Sequence, residues 1–166
     1  MPEKKIQKQN VGNAGEYYLA ARLSALDFIV TITLGRAERY DILAISPKGR
    51  VIKTSVKATQ NDNAMAFQLS AKDEKGQEED FYYAFVKLNG FNKEPDFWIV
   101  PSEVVCTIII EAHQKWLRTP GRNNKKHRDI KMRKLHIEVP VNERHLYPPN
   151  WGKEIQKYYK NLNQML

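Results

Sequence analysis

Apolar and polar positions alternate most cleanly between residues 39 and 57. Ile42, Leu43, Ala44 and Ile45 form an apolar run, and Val51 to Val56 alternates β-branched with polar side chains. Ser46-Pro47-Lys48-Gly49 lies between them and suits a type I turn, with Pro47 presetting φ and Gly49 free to turn left-handed. This predicts a β-hairpin in which Ser46 pairs with Arg50. Counting outward along an antiparallel ladder puts Asp41 opposite Ser55, with Lys57 two residues further along the same face.

The same patterning predicts the other elements. Residues 1 to 10 are polar and read as loose. A helix is expected from about Asn13 to Leu26, with Leu19, Ala20, Leu23 and Leu26 as its apolar stripe. Glu16 falls on the inward side of that stripe, and Gly15 beside it would let another backbone come close. An acid near a helix start is also favoured by the helix dipole, so the position fits a site role or a structural one. Phe28 to Leu34 is β-rich and reads as a first strand. Ala66 to Ser70 reads as a short strand, and 71–80, with five acids and no apolar period, as solvated loop. Phe81 to Leu88 is apolar on both faces, which predicts a central strand covered on two sides. Phe97 to Val100 is a further strand. Pro101 ends it and Ser102 is placed to cap a helix burying Val105, Ile108, Ile109, Ala112 and Trp116. Past Pro148, Trp151, Ile155 and Tyr158 or Tyr159 mark a short closing helix. The order of strands and helices indicates a mixed α/β fold built on one sheet.

Composition narrows the classes. At 166 residues and 42% hydrophobic, the chain reads as one domain: a core over about 11–117, a basic loop over about 118–134 and a closing segment over 135–166. The single cysteine, Cys106, excludes an internal disulfide framework and a Cys-rich zinc module, and fits a reducing, cytoplasmic setting. No apolar stretch follows the N-terminus as in a signal peptide, and none reaches membrane-spanning length.

A formal charge of +8 favours a polyanionic partner, nucleic acid first. From Lys115 to Lys134 the chain carries nine Lys or Arg against one acid, Asp129. Arg122, Lys125, Lys126 and Arg128 sit at the centre of that segment, and Arg36 and Arg39 flank the hairpin. Such a basic loop suits phosphate contacts along a duplex; an ordinary solvated charged loop has the same sequence. Nothing in it indicates readout of base edges.

An acid on one strand followed by acid-x-Lys on its partner resembles the PD-(D/E)XK nuclease superfamily, whose restriction-endonuclease-like fold is shared by many resolvases. The chain is similar to it in order and spacing: Gly15-Glu16 in a first helix, Asp41 on a strand, Ser55-Val56-Lys57 on the next. It departs at Ser55, where the superfamily usually has Glu, Asp or sometimes Gln. The resemblance implies a mixed β-sheet core flanked by helices and Mg²⁺- or Mn²⁺-dependent hydrolysis of a phosphodiester. Asp41 and Glu16 would hold the metal, Lys57 would orient water or offset developing charge, and Ser55 would contribute a hydroxyl. The expected partner is DNA in preference to RNA, with room for a homodimer. A catalytically silent nucleic-acid binder on the same fold is the alternative that Ser55 raises.

Overall fold

The computed structural model describes residues 6–33 and 39–166, apart from the Arg122 side chain. A five-stranded sheet runs through it: β1 (Ile29–Ile32), β2 (Ile42–Ile45), β3 (Val51–Thr59), β5 (Phe81–Lys87) and β6 (Asp96–Pro101), in that spatial order. Neighbours are antiparallel except β3 and β5, which are parallel. Between them in sequence, β4 (Ala66–Ser70) leaves the sheet to pair with β7 (Met132–His136) in a separate two-stranded ribbon.

The hairpin forms as its sequence requires. Gly49 takes φ +82°, its N–H bonds the Ser46 carbonyl at 2.8 Å, and the Ser46 N–H bonds the Arg50 carbonyl at 2.9 Å. From there the register runs Ile45↔Val51 to Ile42↔Thr54. Alternation along these strands feeds two separate cores, one on each face of the sheet. Ile42, Ala44, Ile52 and Val56 face the first helix, α1 (Lys8–Ser24), and bury Leu19, Ala20 and Leu23 with it. The odd positions Phe81, Tyr83 and Phe85 face α2 (Ser102–Arg118), the ribbon and the closing segment with α3 (Trp151–Glu154). β5 lies between β3 and β6, buried on both faces as its sequence predicts.

Several expectations need correction. Helix α1 begins at Lys8, not Asn13, so Glu16 sits more than two turns inside it and is no first-turn acid. Leu26 lies past the helix in a turn ended by Asp27 at φ 64°, and is 39% exposed instead of continuing the stripe. The first strand is shorter than 28–34, spanning Ile29–Ile32. Ser102 does not cap α2: its hydroxyl donates to the Glu78 carbonyl and accepts from the Glu78 N–H. The segment 71–80 is not free loop. Its first half is a 3₁₀ helix (Ala71–Lys75) closed by a capping box between Ser70 and Asp73. Its remaining acids include Glu74 paired with the buried Arg133, Glu78 with Lys53, and Asp80 with Arg50. The basic segment also ends differently, since its last residues form β7 and close the ribbon. The closing segment behaves as expected, with Trp151 and Ile155 buried and Tyr158 packed against the second core.

Candidate functional site

The site is assembled where β2 stops and β3 continues. The β2–β3 ladder ends at Ile42↔Thr54, and the Asp41 N–H folds back to the Thr54 carbonyl at 2.9 Å. Past this point the Val56 N–H has no strand partner on that side. The Asp41 carboxylate supplies one: Oδ2 accepts from the Val56 N–H at 2.6 Å and from the Ser55 hydroxyl at 3.3 Å. A charge-assisted bond of this kind fixes the side chain firmly. Thr33 steadies the Asp41 backbone from the other side, its N–H bonding the Asp41 carbonyl at 2.9 Å. Asp41 and Ser55 therefore meet across the hairpin, as the register count required.

Asp41, Ser55 and Lys57 line one open cleft of about 640 Å³, with Arg39 on its wall. Ser55 is nearly buried at 5% exposure, whereas Asp41 and Lys57 are half-buried. Arg39 is held there by bonds to Glu78 and to the Lys75 carbonyl.

Glu16 comes to the same region through glycine. A Cβ on Gly15 would stand 2.5 Å from the Ala58 Cβ and 3.4 Å from Val56 Cγ1, so only glycine lets α1 settle this closely on β3. The Glu16 side chain is half-buried and outside the lining of the cleft. Burial first, and then the charge of Asp41, push its carboxyl above the ordinary glutamate range. The charge of Asp41 thus acts on Glu16.

Asp41 and Glu16 offer the hard carboxylate oxygens that a divalent cation takes. Among the described residues no three of His, Cys, Asp and Glu are grouped to hold a metal ion. Mg²⁺ commonly takes only one or two carboxylates and keeps its waters.

Sequence reasoning missed the opposite wall. Ser70, Lys72, Asp73 and Tyr83 line the cleft too. Both Asp73 oxygens are engaged: Oδ2 by the Ser70 N–H at 2.7 Å and hydroxyl at 2.9 Å, Oδ1 by the Tyr83 hydroxyl at 3.1 Å. Burial and the Asp73 charge hold the Tyr83 phenol protonated well above its usual range. The Ser70-x-x-Asp73 spacing of a capping box was the available signal.

Among the described residues singled out for nucleic-acid contacts, Arg39 lines the cleft. Lys125, Lys126 and Arg128 are exposed on the loop after α2 and are not part of that lining. Arg36 and the Arg122 side chain lie outside the described residues.

No family model matches the chain, and no curated protein matches it. Solved structures do. A bacterial homing endonuclease, I-Ssp6803I, superposes with a TM-score of 0.51 at 14% identity, over 96% of this chain and 92% of that one. The likeness is one of fold. Archaeoglobus fulgidus Hjc, a Holliday junction resolvase, is also similar, with a TM-score of 0.46 and 15% identity over 83% of this chain and 88% of that one. The expected mixed sheet flanked by helices is the architecture found. Among the described residues no helix is long and apolar enough to cross a membrane.

Proposed function

We propose that this protein is a metal-dependent DNA endonuclease of the PD-(D/E)XK type, with Asp41, Ser55, Lys57 and Glu16 as its centre. The observation that carries the reading is that Asp41, Ser55 and Lys57 line one cleft at a strand end, with Asp41 and Ser55 in contact. The fold shared with a homing endonuclease and the charge of +8 point the same way. Asp41 and Glu16 would hold Mg²⁺ or Mn²⁺, which when bound polarises a phosphate and makes a water more acidic.

The chain's own residues do the rest. The Val56 N–H and Ser55 hydroxyl lock the Asp41 carboxylate in one orientation, so no side-chain entropy is lost when substrate binds. The Lys57 ammonium offsets negative charge as it develops on the attacked phosphate, and Arg39 offers a second cation at the cleft wall. Substrate is DNA in preference to RNA, held mainly by its phosphates.

A specific observation favours a silent binder as the second reading. Ser55 spends its hydroxyl on Asp41, and Asp73, the one other acid among the described residues of the cleft lining, spends both oxygens on Ser70 and Tyr83. Nicking of supercoiled plasmid in Mg²⁺ or Mn²⁺ separates the two. For a working nuclease, Asp41→Ala and Lys57→Ala abolish nicking and Ser55→Glu changes it modestly. For a silent binder, wild type cuts no better than Lys57→Ala while DNA binding survives in both, and Ser55→Glu gains metal affinity by calorimetry. A folded Ser55→Glu protein with no gain in metal affinity would count against the geometry on which both readings rest.

A further inference from the structure

All four histidines of the chain line a second cavity, of about 410 Å³, between α2, β7 and the segment leading to α3. Their spacing in sequence gives no hint of this. They are not arranged as metal ligands. Ring nitrogens of His113, His136 and His145 contact Asp129 Oδ1 at 2.8 Å, the Tyr147 hydroxyl at 3.1 Å and the Thr119 hydroxyl at 3.4 Å. The floor is apolar, made by Ile109, Ala112 and Leu146, and one wall is a ladder of rings. His113 stacks on Trp116 at 5.5 Å, and His127 stacks on Trp116 at 3.9 Å with 21° between planes.

The His127 ring gets there because the basic loop folds back on itself. The Gly121 N–H bonds the Lys125 carbonyl at 2.9 Å, and a Cβ on Gly121 would stand 2.8 Å from His127 Cε1. The loop thus presses a flat heteroaromatic ring onto the indole, while Lys125, Lys126 and Arg128 on either side of His127 stay exposed. A flat ring on an aromatic platform beside free cations is how proteins hold an unstacked base on its phosphate backbone. The volume lies in the range of small-ligand sites, and Asn142 and Glu143 bring amide and carboxylate groups to the wall for a base edge.

The cavity also adjoins the cleft. Ser70 lines the cleft, and its cross-strand partner Met132 lines this cavity. Arg133, also in the lining here, pairs with Glu74, the residue after the cleft's Asp73.

We propose that this cavity takes one unpaired nucleobase, which stacks on Trp116 in the place His127 occupies. The proposal rests on the nucleic-acid reading above and adds a feature of the substrate: a bulged or extruded base near the phosphate held in the cleft.

The test is fluorescence anisotropy with two short duplexes, identical except for one bulged purine, at two salt concentrations. Wild type should favour the bulged duplex by about tenfold, the scale of one base stack. Trp116→Ala should lose that preference, whereas His127→Ala should increase it, since the platform is cleared in advance. A purely structural role for the pair predicts a loss in both. Lys125→Ala/Lys126→Ala should weaken both duplexes alike and flatten the salt slope. If Trp116→Ala does not fold, His127→Ala decides alone. Equal affinity of wild type for both duplexes, with salt-sensitive binding intact, overturns the proposal and leaves the nucleic-acid reading standing. Unchanged or reduced bulge preference in His127→Ala also overturns it. Adenosine monophosphate binding as tightly as the bulged duplex would assign the cavity to free nucleotides and overturn it too. No salt-sensitive binding of the paired duplex removes the nucleic-acid reading itself.

Discussion

Gly15→Ala opposes two effects whose sizes can be compared. Replacing glycine by alanine inside a helix is worth about 1 kcal/mol in propensity. The new Cβ, however, would stand 2.5 Å from the Ala58 Cβ, against a comfortable carbon–carbon separation of roughly 3.5–4.0 Å. Neither atom can swing away, because each is fixed to its own backbone, so helix α1 must lift from β3 by about 1 Å. Overpacking of this kind costs about 1–3 kcal/mol, and the upper end applies where no rotamer can yield. The net expectation is a loss of about 1–2 kcal/mol, or a Tm lower by about 2–8 °C for a chain of this size. Thermal and urea melts followed by circular dichroism measure it. A double mutant makes the argument sharper. In Gly15→Ala/Ala58→Gly the clash is gone, leaving the Ala58 Cα at an ordinary 3.8 Å, so the pair should be more stable than the two single losses added together. A Gly15→Ala protein as stable as wild type or more so, with additive effects in the double mutant, would refute the close-packing argument. It would also remove the account of how α1 brings Glu16 close to β3.

Two further expectations follow from the acids. Asp41→Ala should lower stability by about 1.5–3 kcal/mol, since it strands the Val56 N–H that the carboxylate satisfies, while Asp41→Asn keeps an acceptor and should cost clearly less; parallel urea melts compare them. Glu16 has its folded-state pKa raised by burial and by Asp41, so the folded protein binds its proton more tightly than the unfolded chain does. Stability from this group is therefore present below the ordinary glutamate pKa and lost as pH rises through the raised value. Glu16→Gln should raise Tm at neutral pH and lose that advantage in acid, while weakening metal binding by calorimetry; a constant Tm difference across pH would contradict it.

The hairpin that carries the cleft was legible because its information is local. Pro47 and Gly49 specify the turn, the turn specifies the register, and the register puts Asp41 beside Ser55. The close approach at Gly15 and the double-sided burial of Phe81 to Leu88 were legible for the same reason. The far wall of the cleft was not. Acids at 71–80 look solvated in sequence because their partners are distant: Arg133 for Glu74, Lys53 for Glu78, Arg50 for Asp80. The start of α1 was misplaced because Lys8 and its neighbours carry no apolar signal and Gln7 makes no side-chain cap. Trp116, expected as core, is only half-buried and stacks with two histidines, a role that helical spacing alone does not distinguish from packing.

The ribbon of β4 and β7 has a consequence for the order of folding. It joins residues 66–70 to residues 132–136, so β5, β6 and α2 all lie in the loop that it closes. Closing so long a loop costs entropy that must be met before its contacts form, whereas the β2–β3 turn closes almost at once. The hairpin bearing Asp41 and Lys57 should thus be present in the transition state, with the ribbon zipping afterwards. Leu135→Ala, in the fully buried centre of β7, should speed unfolding and leave refolding nearly untouched, and stopped-flow kinetics would show this directly. The ribbon gives Ser70 to the cleft and Met132, Arg133, Lys134 and His136 to the second cavity, so the second cavity does not exist until β7 has docked. If the chain acts as proposed, it completes the second cavity only with its fold, and half-made chains carry the hairpin of Asp41 and Lys57 without that surface.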